Sequence, residues 1–189
     1  MAKAVIMEKK RGGMEMQKRE VCCAFSGHRP HKLPENGDEK SNQIMLCKHF
    51  LFSEIDRAVA DGYREFLCGM AMGTDLWCAE IVLSLRRSRP QISLHAVLPW
   101  RTQAADWPRD WQLRYCAALE QADEVTALSE YYYKGCFLVR NQFLVSHASR
   151  LIALCTAGRG GTGETLRMAQ KAGLEIVCHD PALPWQTRL

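Results

Sequence analysis

Glycines and hydroxyls crowd the stretch Gly158-Arg159-Gly160-Gly161-Thr162-Gly163-Glu164-Thr165, which follows an apolar run at 150–155 and opens a segment that reads as helix. A turn of that composition between strand and helix suits phosphate binding. Glycine lets the backbone approach an anion closely, and the first N–H groups of the helix are unpaired at the positive end of its dipole. Thr162 is placed to cap that helix and Thr165 to sit in its first turn, so both hydroxyls can join the backbone around a phosphate. Two further loops hold equivalent places. Ser26-Gly27-His28-Arg29-Pro30 follows the run 21–25, and Gly69-Met70-Ala71-Met72-Gly73-Thr74-Asp75 follows 65–68. Three such loops imply one ligand site.

Other side chains are candidates for the same site. His28 and Arg29 read as a cationic pair beside a phosphate. Asp75 falls at a helix start, where the dipole favours a carboxylate, and a ribose hydroxyl is its functional partner. Arg140 and Asn141 interrupt the apolar series Phe137, Leu138, Val139, Phe143, Leu144 and Val145. Polar groups buried there need partners, since leaving them unpaired costs on the order of several kcal/mol. Those partners are either a ligand or neighbouring loops. Of Tyr131-Tyr132-Tyr133, one ring is expected to stack on a base or to pack at the loop. A metal site is not expected. His28, His31, Cys22 and Cys23 are the obvious ligands, but adjacent Cys22 and Cys23 on a strand point to opposite faces, which defeats a tetrahedral set. No Ser–His–Asp arrangement can be read from the sequence.

The elements that position these residues alternate. Strands are expected at 21–25, 65–68, 93–98, 124–128, 150–155 and 175–178. Ser41 can cap a helix whose apolar positions Ile44, Cys47, Leu51, Ile55 and Ala58 recur at helical spacing and stop near Gly62. Further helices are expected at 76–85, 107–122, 137–147 and 165–172, the third of these five with Trp111, Tyr115, Ala118 and Ala122 on one face. Continuous apolar strands separated by helices argue for an α/β fold, a Rossmann-like three-layer α/β/α sandwich with a mostly parallel sheet of about six strands. In such a sheet, ligands bind beyond the carboxyl ends of the strands at the topological switch point, where the glycine loops emerge.

The 189 residues, 47% hydrophobic, fit a single domain at 20–182, with tails at 1–19 and 183–189. Met14 or Met16 is a candidate natural start. A net charge of +4 and a pI near 8.6, with the positive residues dispersed apart from Lys9-Lys10-Arg11 and Arg86-Arg87-Ser88-Arg89, permit nucleic-acid contact without arguing for it. The nine cysteines include no Cys-x-x-Cys pair, and most lie in apolar runs (Cys22, Cys23, Cys68, Cys155, Cys178), where free cysteine behaves as a small core residue. That usage points to reducing cytoplasm. No apolar stretch approaches the roughly twenty residues that span a bilayer, and the first twenty lack the apolar core of a secretion signal.

Ser26-Gly27-His28-Arg29-Pro30, the loop from Gly69 to Asp75, Arg140-Asn141-Gln142 and Gly160-Gly161-Thr162 together resemble the YpsA-like branch of the SLOG superfamily over residues 21–180. That superfamily also holds the Lonely Guy phosphoribohydrolases and the DNA-processing protein A family. The resemblance implies a Rossmann-like domain that binds a nucleotide or nucleotide-derived ligand and serves as a sensor or regulator. On it, the amides of Gly160, Gly161 and Thr162 and the Arg29 side chain would hold phosphate, and the segment from Gly69 through Ala71, Gly73 and Thr74 to Asp75 would shape the sugar side. It also raises a homodimer. The phosphoribohydrolases carry a Gly-Gly-x-Gly-Thr-x-x-Glu loop with a catalytic Glu. Aligning Gly160, Gly161 and Gly163 places Arg167 where that Glu belongs and Glu164 at the Thr position, while Arg140 matches an Arg of that family. Hydrolysis would then need Glu164 or Glu80 as a substitute. The Gly-x-Ala-x-Gly-x-Asp and Arg-Asn motifs also resemble the DNA-processing protein, which makes single-stranded DNA the third ligand class. No cofactor beyond the nucleotide-type ligand is identified.

Overall fold

A computed structural model of the chain describes residues 19–156 and 160–184. The start-site candidates Met14 and Met16, both expected tails in large part, and Gly158 and Arg159 lie outside them. Six strands form one sheet: β1 (Cys22–Gly27), β2 (Glu65–Cys68), β3 (Ser93–Leu98), β4 (Glu124–Ala127), β5 (Arg150–Leu154) and β6 (Glu175–His179). Their order is β4-β3-β2-β1-β5-β6, and every neighbouring pair is parallel. The sheet is therefore wholly parallel among the described residues, more regular than the sequence reading required.

Among the described residues five α-helices cover it: α1 (Asn42–Ala60), α2 (Thr74–Arg86), α3 (Arg109–Gln121), α4 (Cys136–Ser146) and α5 (Gly161–Lys171). Side chains alternate along each strand, so one strand feeds two cores. Cys23, Phe25, Phe66 and Leu94 join Ile44, Leu51, Trp77 and Tyr115 from α1, α2 and α3 in one cluster. Cys22, Ala24, Leu67, Val97 and Leu151 join Leu144, Val145 and Ala169 from α4 and α5 in the other. Cys22 and Cys23 thus face opposite ways, as adjacent strand residues must.

Local signals explain the helix ends. The Ser41 hydroxyl accepts the Ile44 N–H at 3.3 Å and caps α1, whose periodic residues Ile44, Cys47, Leu51, Ile55 and Ala58 are all buried. The chain leaves α1 through Gly62 at φ +104. Three starts differ from the sequence expectation by two residues or more. Helix α2 begins at Thr74 rather than 76, α3 at Arg109 rather than 107, and α5 at Gly161 rather than 165. Gly161 and Gly163 mask the onset because glycine is a poor helix former, yet the first-turn N–H groups have no intrahelical acceptor to lose. Helices α2 and α3 are further tied by Arg114, which donates to Glu80 at 2.6 and 2.7 Å, while Glu39, just before α1, accepts the Trp77 indole N–H at 2.8 Å and the Lys48 ammonium of α1 at 2.7 Å.

Chain order now defines the switch point. From β1 the chain steps outward through β2, β3 and β4 with α1 to α3 on one face, then returns through α4 to place β5 on the other side of β1. The crevice beyond the carboxyl ends of β1 and β5 is where such a sheet can admit a ligand. No helix among the described residues is long and apolar enough to cross a membrane.

Candidate functional site

At that crevice lies a cleft of about 380 Å³, within the size range of small-molecule sites. Its walls come from the three loops and from α4: Ser26, Gly27, His28, Arg29, Ala71, Asp75, Arg140, Asn141, Gly161 and Thr162 all line it. Phe25, His31, Lys32 and Phe137 line it as well. Arg29, Lys32 and Arg140 against Asp75 make the lining net cationic.

The loops interlock by close backbone approach. A Cβ on Gly27 would lie 2.3 Å from Thr74 Cγ2, and one on Gly73, at φ +88, would lie 2.8 Å from the His28 carbonyl oxygen. Thr74, wholly buried, donates its hydroxyl to that same carbonyl at 3.1 Å. Thr162 ties the third loop to the first by donating to the Gly27 carbonyl at 3.2 Å. Met70 adopts φ +55, a left-handed conformation that costs a non-glycine residue about 1–2 kcal/mol. Its carbonyl accepts from the buried Gln103 amide at 3.2 Å, one of the contacts that hold the turn.

Asp75 and Arg140 form a buried ion pair at 3.1 Å, with side chains 7% and 8% exposed. Asp75 also accepts the Ala71 N–H at 3.3 Å, so the carboxylate fixes the loop that precedes its own helix. Burial pushes its carboxyl up from the ordinary value, while Arg140, the Ala71 N–H and Arg29 pull it back. Arg140 Nε is buried without a hydrogen-bond partner. Gly69 makes room for this pair, since a Cβ there would fall 1.5 Å from Arg140 Nη1.

His28 Nε2 receives the Thr156 N–H at 3.0 Å. A backbone amide can only donate, so the ring is neutral with its proton on Nδ1. Burial lowers the His28 pKa, helped by the nearby Lys32 charge. The unfolded chain therefore takes up this proton first as pH falls. Stability is expected to be full above pH 6.5, the unfolded value, and to decline on acidification toward the lower folded value. Urea midpoints between pH 5 and 8 check this; a His28→Gln variant is expected to flatten the curve over that window, and an unchanged slope would count against the assignment.

The rest of the expected site residues serve the cleft from behind or elsewhere. Gly69, Gly73 and Thr74 shape the loop without lining the cleft. The expected cap at Thr162 is corrected: Gly160 stands at the N-cap with φ +123 and no side chain caps α5, because the Thr162 hydroxyl is spent on β1. Thr165 is also corrected. It is fully buried and donates to the Gly161 carbonyl at 2.9 Å, a back-bond within its own helix that turns the hydroxyl from any ligand. Tyr131 to Tyr133 are exposed, with the Tyr132 ring against Trp100 at 5.2 Å. Glu164 pairs with Arg167, and Glu80 with Arg114; neither lines the cleft, where Asp75 is the sole carboxylate among the described residues.

Sequence reasoning missed His31, Lys32 and Phe137. Pro30 starts a one-turn 3-10 helix (Pro30–Lys32) that brings His31 and Lys32 to the cleft, and Phe137 carries the Arg29 guanidinium on its face at 5.0 Å. A cation two residues past a Gly-His-Arg-Pro turn was the available signal. One potential ligand cluster also went unread: Glu65, His95 and Glu124 approach within 4.8 Å at the amino ends of β2 to β4. The His95 ring lies there with Nδ1 3.3 Å from Glu65 and Nε2 2.9 Å from Thr126, so hydrogen bonds occupy both nitrogens.

Comparison with known proteins agrees with this architecture. The chain is 28% identical over 142 residues to a UPF0398 protein of Halalkalibacterium halodurans, covering 73% of this chain and 74% of that one. It is 26% identical over 157 residues to a UPF0398 protein of Bacillus cereus, covering 81% and 84%. Among solved structures, DNA processing protein A from Helicobacter pylori superposes with a TM-score of 0.56 at 17% identity, over 87% of this chain and 67% of that one. The Streptococcus pneumoniae protein of that name gives 0.51 at 16%, over 84% of this chain and half of its own length. These structures share the fold. The sequence model of the YspA SLOG family matches residues 23–173, spanning all four motifs and every residue that lines the cleft, and the chain belongs to that family.

Proposed function

We propose that this protein binds a nucleotide or nucleotide-derived phosphorylated ligand in the switch-point cleft and acts as a cytoplasmic sensor or regulator. The observation that carries the reading is the amino end of α5. No side chain caps it, Gly161 and Thr162 line the cleft there, and Lys32 Nζ lies 3.9 Å from the point where a Gly160 Cβ would stand. Unpaired amides, the helix dipole and a lysine ammonium converge on one spot, the arrangement that favours phosphate. Arg29, stacked on Phe137, supplies a second cation. Asp75 is held by Arg140 on the other wall, within reach of the sugar side of such a ligand. The cytoplasmic setting is supported by nine cysteines, none of which forms a disulfide.

Isothermal titration with nucleoside mono- and diphosphates, ADP-ribose and nucleotide sugars tests the reading. At least one is expected to bind, and Gly161→Asp, which sets a carboxylate at the phosphate position, is expected to weaken it by more than about tenfold. No binding by any, or wild-type affinity in Gly161→Asp, would overturn it. Parallel arms address the other classes. Release of free base from a nucleoside monophosphate would mark a hydrolase, which would have to draw on Asp75. Salt-dependent anisotropy with a labelled oligonucleotide would mark the single-stranded DNA binding named for the Helicobacter pylori protein.

A further inference from the structure

We propose that Cys155 and Cys178 form a dithiol modification site that a hydroperoxide oxidises to a disulfide at the root of the ligand cleft. Their sulfurs lie 2.9 Å apart. Cys178 is on β6 and Cys155 follows directly on β5, its N–H donating to the His179 carbonyl at 3.0 Å, so the two strands are already paired at this level. Cys178 corrects the sequence expectation of a core cysteine: it is exposed, whereas Cys155 is buried. One thiol is therefore open to an oxidant and the other waits beneath it.

Their environments differ in the way this chemistry needs. The hydrogen bond from the Cys155 thiol pulls the Cys178 pKa down, which favours its thiolate, the reactive form. Burial pushes the thiols of Cys23, Cys68 and Cys78 up, leaving those core cysteines unreactive. In the first step the Cys178 thiolate attacks a peroxide oxygen. The O–O bond breaks and hydroxide leaves, becoming water with one proton, while Cys178 becomes a sulfenic acid. In the second step the Cys155 sulfur attacks the Cys178 sulfur and loses its proton. The S–O bond breaks, hydroxide takes that proton to become a second water, and the S–S bond forms. Two thiols are oxidised by two electrons and one hydrogen peroxide is reduced to two waters.

Closing the sulfurs from contact to a bond of about 2.05 Å turns the two side chains and shifts the backbone locally at Cys155, because the strands themselves are already hydrogen-bonded there at 3.0 Å. Thr156 is the residue next to Cys155, and its N–H holds His28 Nε2 in the cleft wall. Oxidation therefore bears on the His28 side of the cleft, whichever ligand the cleft takes.

The test uses the full chain, reduced and then treated with hydrogen peroxide. Trypsin is expected to release residues 151–159 joined to residues 172–188, and titration in denaturant to find two fewer thiols than the nine of the reduced chain. Dithiothreitol should reverse both changes. Cys155→Ala should stop at a dimedone-reactive sulfenic acid on Cys178, and Cys178→Ser should give neither product. The His28 imidazole resonance is expected to move on oxidation of the wild type and to stay in place in Cys178→Ser. Oxidation of Cys178 to sulfinic acid without the cross-link, or cross-links spread over other cysteines, would overturn the site. A clean cross-link with an unmoved His28 resonance would overturn its link to the cleft. None of these readouts depends on ligand binding, so failure of the nucleotide reading and failure of this one are separable.

Discussion

Replacing Arg140 by Met is expected to remove about 3–5 kcal/mol of stability, because it leaves the Asp75 carboxylate buried with its cation gone. At a slope of about 2–4 °C per kcal/mol for a domain of this size, the melting temperature falls by about 6–20 °C. The double variant Asp75→Asn/Arg140→Met should recover much of that loss, since no charge is then stranded. Gly69→Ala reaches the same pair sterically by placing a methyl in the guanidinium, and its cost is expected to shrink in the Arg140→Met background, where the longer fork is absent. Urea denaturation of the wild type and these four variants measures the differences. Equal costs for Arg140→Met and the double variant would show that the pair is a bystander and that packing alone matters.

Gly73→Ala is expected to cost about 3 kcal/mol, and Gly62→Ala about 1 kcal/mol, although both positions have positive φ. The difference is space. A Cβ at Gly62 meets nothing within 4 Å, whereas at Gly73 it meets the His28 carbonyl at 2.8 Å and the Pro30 ring at 3.1 Å. Backbone strain is common to both variants; only Gly73→Ala also pushes the first loop away from the second. Ligand affinity should therefore fall with stability in Gly73→Ala and hold in Gly62→Ala. Calorimetric unfolding and titration on both proteins provide the comparison, and equal effects would argue that backbone strain alone is felt.

The four inner strands β1, β2, β3 and β5 were readable because each is a largely apolar run buried on both faces, and a parallel sheet is the arrangement that buries strands so. Helix α1 was readable from Ser41 and the spacing of Ile44 to Ala58. The ten cleft residues, eight from the loops and two from α4, could be found because glycine, small hydroxyls and out-of-place polar groups mark departures from a packed core. What escaped notice depends on tertiary placement. The Asp75–Arg140 pair joins residues 65 positions apart, and only the fold shows that each is the other's partner. Thr162 and Thr165 had the right type and place for a phosphate loop, but their hydroxyls found acceptors at Gly27 and Gly161 first. Phe137 looked like one apolar residue among several until Arg29 was seen to lie on it. Cys178 sat in an apolar run, but β6 is an edge strand, and an edge exposes residues that the same sequence would bury in the centre.

The insertion of β5 beside β1 has a further consequence for how the molecule is made. During synthesis, β1 to β4 and the helices on one face emerge before residue 150, yet the strand that covers the free side of β1 comes after them. Until then, the fully apolar row from Cys22 to Phe25 is a bare sheet edge, open to any other strand that reaches it. A ribosome stalled between α4 and β5 would hold out a sticky half-protein that carries the first two loops but no place for a ligand. Completing the binding cleft and hiding that edge are one event, so a chain competent to bind is also one that has passed its greatest risk of aggregation.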